Sequence, residues 1–154
     1  MRIAILLAAL STTTAFMTTA ALAAEDITYR KHIRPLWEQK CMGCHGQASP
    51  YLADFEADKE KFTKLNVGPR MDSYPALIIY VGWPDTGAIM RRLDDGKTAP
   101  NTKPGNMYQY LGGDDAERQK NLALMKSWVG EGAWSLGRFK DLDKDTLTKM
   151  KVAE

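Results

Sequence analysis

The run Cys41-Met42-Gly43-Cys44-His45 decides how this chain is read. Two thiols at this spacing, followed at once by an imidazole, form the C-x-x-C-H arrangement that attaches a c-type haem. The spacing has a physical reason. The thiols reach the two vinyl groups on one edge of a porphyrin and form thioethers, and the next side chain falls beneath the iron and takes one axial position. The motif uses both cysteines and one of the two histidines, so it provides for one haem. Competing uses fit less well. Closed structural zinc needs four ligands, and beyond the motif only the remote His32 is left as a good donor. A thioredoxin-like dithiol sits near a βαβ pattern, which this sequence lacks. A plain disulfide gives the adjacent histidine no role.

The amino terminus agrees with that chemistry. Met1-Arg2 precedes the short apolar run from Ile3 to Leu10, and Ala21-Leu22-Ala23 fits a small-residue cleavage site, the pattern of a secretory signal peptide over residues 1–23. The apolar run is too short to span a bilayer. No later segment is a membrane-span candidate. Bacterial c-type haems are attached outside the cytoplasmic membrane, so the periplasm is the expected location. Cleavage leaves 131 of the 154 residues, enough for one domain with a core over residues 24–154. The mature charge is close to neutral, since 20 basic residues face 19 acidic ones once Arg2 is removed. Such a balance supplies no global field for nucleic acid.

The rest of the chain reads as helical. Ile33, Leu36 and Trp37 share one face of a helix running into Cys41, with Pro35 at a first turn or kink. Between Gln47 and Asn66 a loop is followed by an amphipathic helix of about two to three turns, stopped at Gly68-Pro69. Ser73 caps a segment to Val81, and Asp85 or Thr86 caps a short helix through Ile89, Met90 and Leu93, ended at Gly96. Gly96 to Asn106 is a loop rich in Pro, Gly and Asn. Asp114-Asp115-Ala116-Glu117 resembles a capping box at the start of the strongest helix, whose stripe of Leu122, Met125 and Val129 is widened by Leu124 and Trp128 and which ends at Gly130. Trp134, Leu136 and Phe139 suggest that an extension from about residue 131 packs back on the body, and Asp143 to Val152 holds a last short helix.

A carrier keeps both axial positions filled, so that the iron changes charge without changing its shell. Distal candidates are His32, Met71, Met90 and Met107. Met42 lies inside the attachment loop, Met125 sits on a core stripe and Met150 is near the end. Met107 is favoured because it follows a Pro/Gly-rich segment that can aim a side chain and because it lies on no helical stripe. A thioether favours ferrous iron and raises the potential relative to a second imidazole.

With a short helix leading into Cys41 to His45, a methionine in a downstream loop and a capped amphipathic helix carrying Trp128, the chain resembles a class I cytochrome c. The resemblance implies a small all-α domain around one covalent haem c, held by Cys41 and Cys44 with His45 and Met107 on the iron. It also implies contact between the Ile33/Leu36/Trp37 face and the Met125/Trp128/Val129 face. Gly68-Pro69 would supply the carbonyl that orients the proximal imidazole. The expected role is that of a single-electron carrier and not an enzyme. Its expected partners are redox proteins: a membrane quinol oxidase complex upstream, and a terminal reductase or oxidase downstream. Two alternatives stand beside it: a haem enzyme or gas sensor with an open distal site, and an electron-transfer subunit of a larger oxidoreductase.

Overall fold

The structure is a computed structural model that describes residues 26–154. The signal peptide read over 1–23 lies outside the described residues. Eight short helices follow in order: α1 (Arg34–Lys40), α2 (Met42–His45), α3 (Leu52–Ala57), α4 (Lys59–Lys64), α5 (Tyr74–Ile78), α6 (Ala88–Leu93), α7 (Asp115–Val129) and α8 (Lys144–Thr148). A π-helical turn over Tyr29–Ile33 leads into α1, and 3-10 turns cover Tyr108–Leu111 and Phe139–Asp141. No strand occurs among the described residues. The fold is all-helical, and among the described residues no helix is long and apolar enough to cross a membrane.

Capping chemistry explains most of the boundaries. Thr28 accepts from the Lys31 N–H at the π-helical turn, and Pro35 sits in the first turn of α1, where its missing N–H costs little. Ser73 caps α5 with Pro75 in its first turn, as expected. Asp114 caps α7 at 2.8 Å from the Glu117 N–H. The reciprocal Glu117 bond goes to the Gly113 N–H at 2.7 Å, one residue earlier than an ordinary capping box places it.

Local expectations fail in two places. The single helix read between Gln47 and Asn66 is two, broken at Asp58, whose backbone leaves the helical region and whose carboxylate caps α4 by accepting from the Lys61 N–H. The stacked Phe55 and Phe62 rings, 6.0 Å apart, hold the pieces together. Helix α6 is not capped by Asp85 or Thr86. Its cap is Gly87 at φ +74°, a left-handed conformation glycine takes without steric cost, while the Asp85 carboxylate instead accepts from Arg91 at 3.1 Å. The helix also stops at Asp94, before Gly96.

One core unites the chain. Ile33, Leu36, Trp37, Leu77, Val81, Met90, Leu122, Met125, Trp128 and Val129 are buried in it together, so the two expected helix faces share one cluster. The entry segment and α7 meet at both ends. The Lys40 ammonium lies 2.6 Å from the Glu117 carboxylate, and the Tyr29 and Trp128 rings lie 6.4 Å apart.

The tail after residue 131 returns to this core. Ala133 is fully buried, whereas Phe139, expected to pack inward, is exposed. The final residues form a latch. Lys151 and Val152 donate to the Val129 and Trp128 carbonyls at 2.8 and 2.9 Å. The Ala153 carbonyl accepts from both the Tyr29 N–H and the Trp128 indole, each at 2.8 Å. An Arg30–Glu154 ion pair closes the end.

Candidate haem-binding site

The motif is presented by α2, which follows α1 with only Cys41 between them. Because α1 is anchored through buried Leu36 and Trp37, the motif is tied rigidly to the core. Cys41 is half-buried, Cys44 is exposed, and both thiols are free. Burial, with a smaller contribution from Cys44, pushes the Cys41 thiol up to about 12.

The proximal side is specified in detail. The His45 Nδ1 lies 2.8 Å from the Pro69 carbonyl oxygen. Since a carbonyl only accepts, Nδ1 carries the proton and Nε2 keeps the lone pair that a metal needs. Three backbone bonds hold the extended 68–71 segment along the motif loop: Gly68 N–H to the Cys44 carbonyl at 2.8 Å, Arg70 N–H to the Pro50 carbonyl at 2.8 Å, and Met71 N–H to the His45 carbonyl at 2.9 Å. Gly68 lies so close that a Cβ there would fall 2.1 Å from the imidazole Cε1. Burial holds the His45 imidazole below its ordinary range; the Pro69 bond opposes this and the Arg92 charge adds to it. The ring therefore stays neutral, the form that binds metal.

The remaining candidates separate by position. Met71 is buried in the core cluster, with its N–H tied to the His45 carbonyl. Met90 is fully buried on α6 as part of the core. His32 Nδ1 accepts from the Thr28 N–H at 3.1 Å, so this ring is a local cap for the π-helical turn. Met107 is half-buried against the core edge. Its N–H donates to the Arg92 carbonyl at 2.9 Å, and the Arg92 side chain, whose charge is felt at His45, bonds the Asn106 side chain at 3.0 Å.

Buried polar atoms test whether a haem fits. Such atoms ordinarily find hydrogen-bond partners. Among the described residues Trp37 Nε1, Tyr80 Oη and Thr86 Oγ1 have none. The Trp37 ring lies 6.3 Å from the His45 ring, so an unanswered donor stands beside the motif, as expected where a polar cofactor edge docks. No sequence pattern singled out Trp37 as more than a core residue. Only its unpaired indole nitrogen does so.

Two cysteines at this spacing, an oriented imidazole with Nε2 left available, and an all-helical frame define a monohaem c-type cytochrome. The chain belongs to the PccH cytochrome c family, whose profile matches residues 28–154, the returning tail included. It is similar to the solved structure of the monoheme cytochrome PccH from Geobacter sulfurreducens, at 49% identity over 84% of this chain and 100% of that one, with a TM-score of 0.77. No functionally curated protein matches the chain. Family membership implies one covalent haem c and a role in electron transfer, a family property more typical of carriers than of enzymes.

Proposed function

We propose that this chain carries single electrons between redox proteins in the periplasm, with Cys41 and Cys44 joined to the haem by thioethers and His45 and Met107 on the iron. The observation that carries this reading is the 2.8 Å contact from His45 Nδ1 to the Pro69 carbonyl, which fixes the ring and leaves Nε2 for metal. The haem supplies a one-electron ferric/ferrous couple. The protein's share is positional. Gly68 and Pro69 hold the imidazole, the α1 anchor holds the attachment loop, and the strap at Asn106 and Met107 is held against the end of α6. A fixed shell on both sides lets an electron enter and leave without ligand exchange.

Met107 is favoured over Met71 and Met90 because it is neither tied to the segment that packs on His45 nor committed to the core. Partners would be a membrane quinol oxidase complex on one side and a terminal reductase or oxidase on the other. The Met1–Ala23 leader supports export.

The test is the ferric absorption spectrum of the holoprotein beside Met107→Ala. The wild type should show the weak far-red band of iron–thioether bonding, and the variant should lose it and bind CO readily when reduced. Retention of the band in Met107→Ala would overturn the ligand assignment. Rapid CO binding by the wild type would favour the open-site alternative. Fractionation of the expressing cell tests the location.

A further inference from the structure

We propose that Gln119, acting through the Tyr108 hydroxyl, is a positioning residue that keeps Met107 on the iron. The inference rests on Met107 being the second axial ligand and adds what holds it there.

Met107 ends an exposed Pro/Gly-rich loop, and a ligand carried on a loop is only as firm as its supports. Two sets of supports converge on it. On the α6 side, the Met107 N–H donates to the Arg92 carbonyl at 2.9 Å and the Gly105 N–H to the Asp94 carbonyl at 2.8 Å. On the α7 side the next residue is fastened. Tyr108 is buried, and its hydroxyl accepts from Gln119 Nε2 at 2.7 Å and donates to the Asp115 carboxylate at 3.1 Å. The second Gln119 N–H goes to the Asp95 carboxylate at 3.1 Å, just beyond the end of α6. One side-chain amide thus joins the residue beside Met107 to the segment whose carbonyls hold Met107's own backbone.

Both amide donors of Gln119 are spent on groups outside α7, the Asp95 carboxylate and the Tyr108 hydroxyl. The arrangement serves placement more than burial. Loosening it raises the fraction of molecules with Met107 off the iron, and an external ligand competing for that site then binds more tightly in proportion to that fraction.

The experiment titrates the ferric holoprotein with imidazole and follows loss of the far-red band. Gln119→Leu removes both donors. Tyr108→Phe removes the hydroxyl and keeps the ring that Arg118 overlies at 5.8 Å, so it remains informative if the first variant folds poorly. Tyr74→Phe makes the same chemical change elsewhere, deleting the hydroxyl bond to the Val152 carbonyl. Gln119→Leu and Tyr108→Phe should each lower the apparent imidazole Kd threefold or more, with Tyr74→Phe below that. A smaller change in Tyr108→Phe, or an equal one in Tyr74→Phe, overturns the positioning role. Met107→Ala separates the two readings. If it retains the far-red band, the ligand assignment has failed. If it loses the band while Tyr108→Phe binds imidazole like the wild type, only the positioning role has failed.

Discussion

The approach of Gly68 to the His45 ring can be tested with one methyl group. In Gly68→Ala the new Cβ would lie 2.1 Å from His45 Cε1, 2.5 Å from Nδ1 and 2.8 Å from Nε2. These are ring atoms with no flexible end to swing away, so the imidazole must be displaced. Displacement breaks the Nδ1–H bond to the Pro69 carbonyl. Overpacking of this kind costs about 1–3 kcal/mol, and the lost hydrogen bond adds about 1 kcal/mol, so the variant should lose about 2–4 kcal/mol. Gly43 supplies the contrast. It lies in the same motif, but a Cβ there meets nothing within 4 Å, and in its helical position alanine should be neutral or stabilising by up to about 1 kcal/mol. The assay is denaturant unfolding of the holoprotein followed by the haem absorption, with the reduction potential measured beside it. Gly68→Ala should unfold at much lower denaturant and shift the potential, while Gly43→Ala does neither. If Gly68→Ala matched the wild type in both, the close approach would not set the position of the proximal ring.

Three other outcomes follow from the same contacts. Truncation after Thr148 removes the Lys151, Val152, Ala153 and Tyr74 latch bonds, five in all with the Trp128 indole, and should cost about 5 kcal/mol at roughly 1 kcal/mol net per bond, read as a lowered denaturation midpoint. Asp94→Ala strands the Trp134 indole, the Gly96 N–H and the Thr98 hydroxyl that the buried carboxylate serves. It should destabilise by about 3 kcal/mol or more, and hydrogen exchange should show the loop before Met107 opening more often. The hydrogen bond from Arg70 holds the Asp72 carboxyl below its ordinary range. A depressed carboxylate contributes stability that is present above its unfolded value and is lost as pH falls through the folded one. Asp72→Asn should therefore lower stability at neutral pH and flatten its fall on the acid side of the ordinary carboxylate range, as unfolding curves across that range would show.

Which features could be read in advance follows from the distance over which each is determined. The attachment motif, the Asp114 cap, the Ser73–Pro75 start of α5 and the Leu122/Met125/Val129 stripe all depend on residues within one or two turns, and each stands where the pattern put it. The break at Asp58 and the Gly87 cap were missed. At Asp58 an amphipathic pattern runs unbroken across a backbone that turns, and at Gly87 two good capping side chains sit just upstream but Asp85 is drawn off by Arg91. The Gly68-Pro69 contact with His45 entered only through resemblance. Nothing local in that pair distinguishes it from a simple turn.

The cofactor of this protein, one covalent haem c, was therefore legible from the sequence alone, because the attachment signature is five consecutive residues. The settings of that chemistry were decided by the tertiary structure. The carbonyl of a residue 24 positions away fixes the His45 tautomer, an amide on α7 reaches the residue beside Met107, and Lys151, Val152 and Ala153 close over Trp128. Each is a meeting of segments far apart in the chain, and such meetings are set by packing of the whole core, to which no local pattern of side chains is sensitive.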